Sequence, residues 1–177
     1  MGHLKNFTWN EFSYEWETEP DPVSLKRILI DSFSQCYKDL TPEMLRIKTG
    51  IQEWLSAYFK ETWFDLLKKT DHYLLTAKQQ NHPVGCVLFD LTKQPEEIYI
   101  VELAVDPAFQ RKGIGKQLVF SIRRSLPETK KIVLITRKLN RQSLAFYRTL
   151  GFRECDYMHP GYDGELYIGL EYPFQQL

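Results

Sequence analysis

Apolar side chains in this chain follow two rhythms, and the rhythm changes near residue 70. After Asp21, they recur at Leu25, Ile28, Leu29, Phe33, Cys36 and Leu40, the three-and-four spacing of one helix face. Asp21-Pro22 supplies a cap and a proline at the first helical position. Thr41-Pro42-Glu43 repeats that start signal for a second helical region, which reaches about Lys69 and is interrupted near Gly50. Ahead of both, Phe12 to Trp16 alternates aromatic and polar residues and predicts a strand. Beyond Asp71 the period is two. His72–Lys78 and Val84–Leu91 predict an antiparallel hairpin across Gln79-Gln80-Asn81-His82-Pro83. Glu97–Val105 predicts a strand ended by Asp106-Pro107, because proline cannot donate to a ladder. Ile114, Leu118, Val119, Ile122 and Leu126 return to helical spacing, and Pro127 stops it. Lys131–Arg137 predicts a short apolar strand, parallel to Glu97–Val105 with a right-handed crossover. Asn140 and Gly151 bracket a short helix as N-cap and stop. Phe152–His159 and Glu165–Tyr172 predict a last strand pair around Pro160-Gly161-Tyr162-Asp163-Gly164. The order is β-α-α-β-β-β-α-β-α-β-β. No repeat, linker or low-complexity segment interrupts it, so the expectation is an α/β fold with a mixed sheet, one domain over residues 1–177.

The stretch Val101 to Gly115 concentrates the chemistry. A strand gives way to a turn and then to a glycine-bearing loop that opens a helix. Gly113 and Gly115 lack a Cβ, so another molecule can come close to the main chain. The first N–H groups of a helix have no internal partner and carry partial positive charge, which suits phosphate oxygens. Arg111, Lys112 and Lys116 add formal charge at the same place. Two phosphate loops do not fit. A Walker A loop requires glycine where Gln110 stands and Ser or Thr where Gln117 stands. A dinucleotide fingerprint requires glycine at Leu118 and an acidic strand end further on, and neither is present.

The third pattern is Gln-x-x-Gly-x-Gly, Gln110 to Gly115, after the Leu103-Ala104-Val105 strand. It resembles the acetyl-CoA pyrophosphate loop of the GCN5-related N-acetyltransferases, the GNAT superfamily. A second motif agrees: Asn140-Arg-Gln-Ser143-Leu-Ala-Phe146-Tyr147-Arg-Thr-Leu-Gly151-Phe152 matches that family's Asn-x-x-Ala/Ser-x-x-Phe/Leu-Tyr-x-x-x-Gly-Phe. Asn140 and Tyr147 lie about two turns apart on one side of the helix. The match is specific over 97–152, looser over 71–172 and only topological before residue 70, where substrate-selecting helices usually lie. The resemblance implies the GNAT acyl-CoA N-acyltransferase fold, in which the strands flanking the cofactor helix splay into a wedge. It implies acetyl-CoA as co-substrate, with Leu103, Ala104 and Val105 pairing with the pantetheine arm. Gln110, Arg111, Lys112, Gly113, Ile114, Gly115 and Lys116 would hold the diphosphate, and Asn140, Ser143 and Tyr147 would meet the arm and its sulfur.

Composition narrows the class. Hydrophobic residues at 43% are enough for a core, and Lys plus Arg equals Asp plus Glu at 23 each. That balance disfavours a nucleic-acid partner, which usually demands a basic excess. No apolar run approaches the roughly 18 residues of a membrane span, and the N-terminus lacks an apolar signal core. Met1-Gly2 begins like a myristoylation signal, but Asn6 stands where Ser or Thr is required. Cys36, Cys86 and Cys155 are odd in number and far apart, which suits reduced thiols and a cytoplasmic setting. No metal site is read.

The implied reaction is attack of a primary amine on the acetyl thioester in a ternary complex. No cysteine or serine has a triad-like setting for an acyl-enzyme. At pH 7 roughly one alkylamine in a thousand is unprotonated, given a pKa of about 10.4, so a base helps. Glu102, a carboxylate among apolar strand neighbours, is the candidate, with Glu97 its rival and His159 a third. An N–H near Val105 is the candidate oxyanion donor, worth about 3 kcal/mol. Tyr147 matches the family tyrosine that protonates the departing thiolate, beside a plain packing role. Arg137, Lys138 and Arg141 stand where either a 3′-phosphate or solvent would meet them. Asp156, Asp163 and Glu165 would favour a cationic acceptor such as a polyamine, an aminoglycoside-like amine or a peptide N-terminus. Among Trp54, Tyr58, Phe59, Trp63 and Phe64, one or two are expected to line a substrate pocket and the rest to be core. A non-catalytic acyl-CoA-binding module is the alternative function, and a homodimer is left open.

Overall fold

The computed structural model describes residues 4–93 and 96–174, and the Met1-Gly2 signal lies outside them. Eight strands form one mixed sheet in the order β1-β2-β3-β4-β5-β6-β8-β7. The strands are β1 (Phe7–Trp9), β2 (Phe12–Trp16), β3 (His72–Gln79), β4 (His82–Asp90), β5 (Glu97–Val105), β6 (Lys131–Arg137), β7 (Arg153–Cys155) and β8 (Tyr167–Pro173). α1 (Pro22–Tyr37), α2 (Pro42–Leu45), α3 (Ile51–Tyr58) and α4 (Phe64–Leu67) precede β3, and α5 (Ile114–Ser125) and α6 (Arg141–Thr149) flank β6. A single π-helical turn, Phe59–Trp63, joins α3 to α4.

The start signals act as their chemistry requires. The Asp21 side chain accepts from Val23 N, and Thr41 Oγ1 accepts from Met44 N at 3.3 Å. The second helical region is broken as its glycine suggests, and also earlier, where Arg46 takes a left-handed conformation after α2. Two elements differ from expectation. β1 is additional, three residues turned back on β2 through Asn10 at φ 53°, and too short to show a period. The predicted strand Phe152–His159 shrinks to Arg153–Cys155. A Cβ on Gly169 would lie 2.1 Å from Tyr157 O, so the chain crosses closely over β8 there. Tyr157 and His159 leave the ladder and pack on Tyr99, with ring centroids 5.6 and 5.0 Å apart.

The sheet separates two apolar cores. One joins the α5 side of the sheet to α5 through Ile98, Ile100, Ile114, Leu118 and Ile122. The other packs α1 and α3 on the opposite face through Leu25, Leu29, Leu55, Leu88 and Ala104. β5 and β6 are parallel but pair only at Glu97–Lys131, Ile98–Ile132 and Tyr99–Val133. Past Tyr99 they separate. Beyond β5, Asp106 caps a 3-10 turn (Pro107–Phe109) and also meets Arg27 of α1 at 2.9 Å, which pins the helical layer to the strand end.

A bulge in β5 decides which residues face the opening. Leu88 faces Glu102 while the next residue, Phe89, faces Ile100, so Val101 is extra. In an unbroken strand Glu102 would share the α5 face with Ile98 and Ile100. The extra residue turns it to the α1–α3 face, a device that bulges commonly supply beside active sites.

Candidate active site

Where β5 and β6 part, a cleft of about 900 Å³ opens between them and runs under α1 and α3. Its walls include Glu102, Leu103 and Val105 from β5, and Gln110, Arg111 and Gly113 to Lys116 from the loop. Asn140, Ser143 and Tyr147 come from α6 and its cap. Two of the expected residues are absent from the cleft lining, and their side chains point elsewhere. Ala104 is 1% exposed and packs its side chain into the α1–α3 core. Lys112 lies over the Phe109 ring, 5.0 Å from its centroid.

The loop takes its shape from glycine. Gly113 has φ +82° and stands 2.7 Å, at an imagined Cβ, from Trp9 Cη2. Gly115 is similarly pressed by Phe146. No side chain caps α5, so its leading N–H groups point into the cleft end unclaimed by a cap. Gln110 Nε2 donates to Val105 O at 3.1 Å, and Gln142 Nε2 donates to Gln110 Oε1 at 3.1 Å, tying strand, loop and α6 together.

Among the described residues Glu102 has one direct hydrogen-bond partner, Tyr58 of α3, whose hydroxyl donates to its Oε1 at 2.9 Å. Burial pushes the Glu102 carboxyl up to about 7, and the Tyr58 bond holds it from rising further. Such a group carries a proton part of the time at neutral pH. Tyr147 is 5% exposed and lies edge-on to Phe146 and Phe152. Burial, with the nearby Glu102 charge, raises its hydroxyl well beyond the ordinary tyrosine range, so it stays protonated. Asn140 accepts from Ser143 N at 3.0 Å and is 3% exposed.

The other candidates separate from this group. Glu97 lies in a smaller pocket with Asp90, Lys93, Tyr99 and His159. Burial raises its carboxyl, but Lys131 and Lys93 outweigh that and hold it below the usual range. His159 is half-buried, stacked on Tyr99 rather than free in a turn. Lys138 donates to Gly164 O on the exposed surface, while Arg141 lines the cleft. Arg137 also lines the cleft, but it is 9% exposed and lies under α3 rather than in a surface cluster. Asp156, Asp163 and Glu165 are all exposed and line no part of the cleft. Glu165 pairs with Arg46 at 3.1 Å. Of the helical aromatics, Trp54, Tyr58 and Phe59 line the cleft, and Trp63 is core at 0% exposed. Sequence reasoning did not single out Tyr162 and Tyr167, which close the far wall. Their only signal was aromatic density around the last turn. Burial lifts the Cys36 thiol to about 11, which makes it a poor nucleophile at neutral pH. Among the described residues no group of three His, Cys, Asp or Glu stands ready for a metal, and no helix is long and apolar enough to cross a membrane.

A wedge between parallel strands, floored by a glycine loop at a helix N-terminus, defines the acyl-CoA transferase architecture. The acetyltransferase (GNAT) family model matches residues 3–152, and the chain belongs to that family. It is an acetyl-CoA-dependent N-acetyltransferase of that kind. PaiA N-acetyltransferase from Thermoplasma acidophilum, in complex with coenzyme A, superposes with a TM-score of 0.72 at 19% identity, over 92% of this chain and 99% of that one. A GNAT acetyltransferase from Elizabethkingia anophelis with acetyl-CoA bound gives 0.61 at 22% identity, over 94% and 100%. The ribosomal-protein-S18-alanine N-acetyltransferase of Escherichia coli gives 0.62 at 16%, over 94% and 96%. At such identities these likenesses attest the fold. Among curated proteins none matches the sequence.

Proposed function

We propose that the chain acetylates a primary amine by direct attack in a ternary complex, with Glu102 as base and Tyr147 as acid. The observation that carries this is the presence of both groups in the cleft left by the parting of β5 and β6. Acetyl-CoA lies with its diphosphate on the Arg111–Lys116 loop and its arm along the main chain of Leu103 to Val105. Gln110, Asn140 and Ser143 complete that side. The coenzymes bound by the Thermoplasma and Elizabethkingia proteins support the choice of co-substrate.

Glu102, poised near neutrality, takes the ammonium proton. The amine lone pair then attacks the thioester carbonyl, and an N–H near Val105 supports the oxyanion. The carbon–sulfur bond breaks, and Tyr147, kept protonated by burial, gives its proton to the thiolate. The second proton, shed by the nitrogen as the amide forms, restores Tyr147 through solvent while Glu102 releases the first. The Glu102→Gln variant tests this. Free-thiol release should fall about 10²–10⁴-fold in kcat/KM, with acetyl-CoA affinity by calorimetry unchanged. Undiminished turnover across the pH range would remove Glu102 from the mechanism.

A further inference from the structure

We propose that Arg137 reads a carboxylate on the acceptor, so that the amine acetylated is that of a small free amino acid. This rests on the acetyl transfer proposed above and specifies its acceptor. Arg137 ends β6, is 9% exposed, and lines the same cleft as Glu102. Its guanidinium lies against two aromatic side chains, 5.0 Å from the Trp54 ring centroid and 5.1 Å from that of Tyr167, which also hydrogen-bonds it. One N–H donates to Leu45 O at 2.7 Å. Among the described residues no carboxylate lies within ion-pair distance of it.

Burying a cation without a counter-ion is costly. Ring faces offset part of that cost but supply no negative charge. Arginine has five donors in a fixed fork that matches a carboxylate, and Leu45 O and the Tyr167 side chain engage only part of it. The unmet demand is for an anion that arrives with a ligand. Its position selects the acceptor over the coenzyme: Trp54 belongs to α3 and Tyr167 to β8, on the helical side, whereas the diphosphate loop begins at Arg111 beyond β5.

The opposite charge stands in the same cleft. Glu102 is bonded to Tyr58, whose hydroxyl neighbours that of Tyr162. The Tyr162 ring meets the Tyr167 ring edge-on at 4.9 Å, and Tyr167 underlies Arg137. One tyrosine wall therefore runs from a carboxylate that takes an ammonium proton to a guanidinium that takes a carboxylate. A zwitterion satisfies both ends. A polyamine would satisfy only the first and be repelled by the second, and the hairpin acids that would attract it lie outside the cleft.

The decisive comparison uses the unmodified enzyme with acetyl-CoA and the proteinogenic amino acids, each beside its carboxamide and its decarboxylated amine. Acetylated product is read by mass. At least one amino acid should exceed both its analogues by about 10- to 100-fold in kcat/KM, the range of a lost charge-assisted bond. Arg137→Gln should erase that preference by raising KM for the acid while KM for the decarboxylated amine stays constant, and Arg137→Lys should restore part of it. Acetyl-CoA affinity serves as the check that the variants fold, and if they do not, the comparison on the unmodified enzyme decides. Equal or faster turnover of carboxamides and plain amines overturns the assignment of Arg137 and leaves the transferase reading standing. Acetylation confined to polyamines, peptides or proteins does the same. Absence of any amine product despite acetyl-CoA binding overturns both.

Discussion

Glu102 sits under two opposing influences, and their balance is what makes it useful. Burial favours its neutral form, and the Tyr58 hydroxyl favours its charged form. Removing the hydroxyl should leave burial unopposed. Tyr58→Phe is therefore expected to move the midpoint of the rising limb of kcat/KM against pH upward from about 7. At pH 7 turnover should fall several-fold and recover at higher pH. A pH–rate profile measured with thiol release checks this, and an unmoved midpoint would detach Tyr58 from the titrating group. Glu102 was visible in the sequence because a carboxylate among apolar strand residues is unusual. Tyr58 was not separable from its aromatic neighbours, because Trp54, Phe59, Trp63 and Phe64 are equally ring-bearing and Trp63 is core. Only the distance across 44 positions distinguishes them.

Strand, loop and helix each present these groups through a local device. The bulge at Val101 turns Glu102 toward α3. Gly113 turns the chain into α5 through a left-handed conformation. Asn140 starts α6 by accepting from Ser143 N, which sets the register that brings Tyr147 to the cleft. Asn140→Ala should lose about 1 kcal/mol of stability from the missing cap, read as a lower midpoint in urea at unchanged slope. No loss would mean that packing alone holds the helix start. The cap and the loop were legible because short-range chemistry dictates them. The bulge was not, since it depends on how β5 pairs with β4. β7 was overextended for the same kind of reason: Arg153 to His159 looks strand-like, but Tyr157 and His159 find better contacts on Tyr99 than in a ladder.

Taken as a whole, the molecule is a twisted sheet held on both faces by separate cores and deliberately unzipped at one seam. Exposed main chain and an uncapped helix terminus at that seam are what acetyl-CoA, placed as proposed, would satisfy together. Acetyl-CoA at 100 times its dissociation constant should add about 2.7 kcal/mol of stability, which raises Tm by roughly 5–10 °C for a chain of this size. Adenosine, which lacks the diphosphate, should leave Tm unchanged at the same concentration. Equal shifts from the two would show that the loop does not grip the diphosphate. The sequence by itself determined the element order apart from β1, the family and the glycine loop, because spacing, caps and glycines act over a few residues. The tertiary structure alone decided that Arg137 is buried against Trp54 and Tyr167 instead of in a surface basic cluster and that the hairpin acids miss the cleft. It also decided that Tyr58 meets Glu102. Those outcomes depend on which distant surfaces are buried against each other, and burial is a property of the assembled chain rather than of any stretch of it.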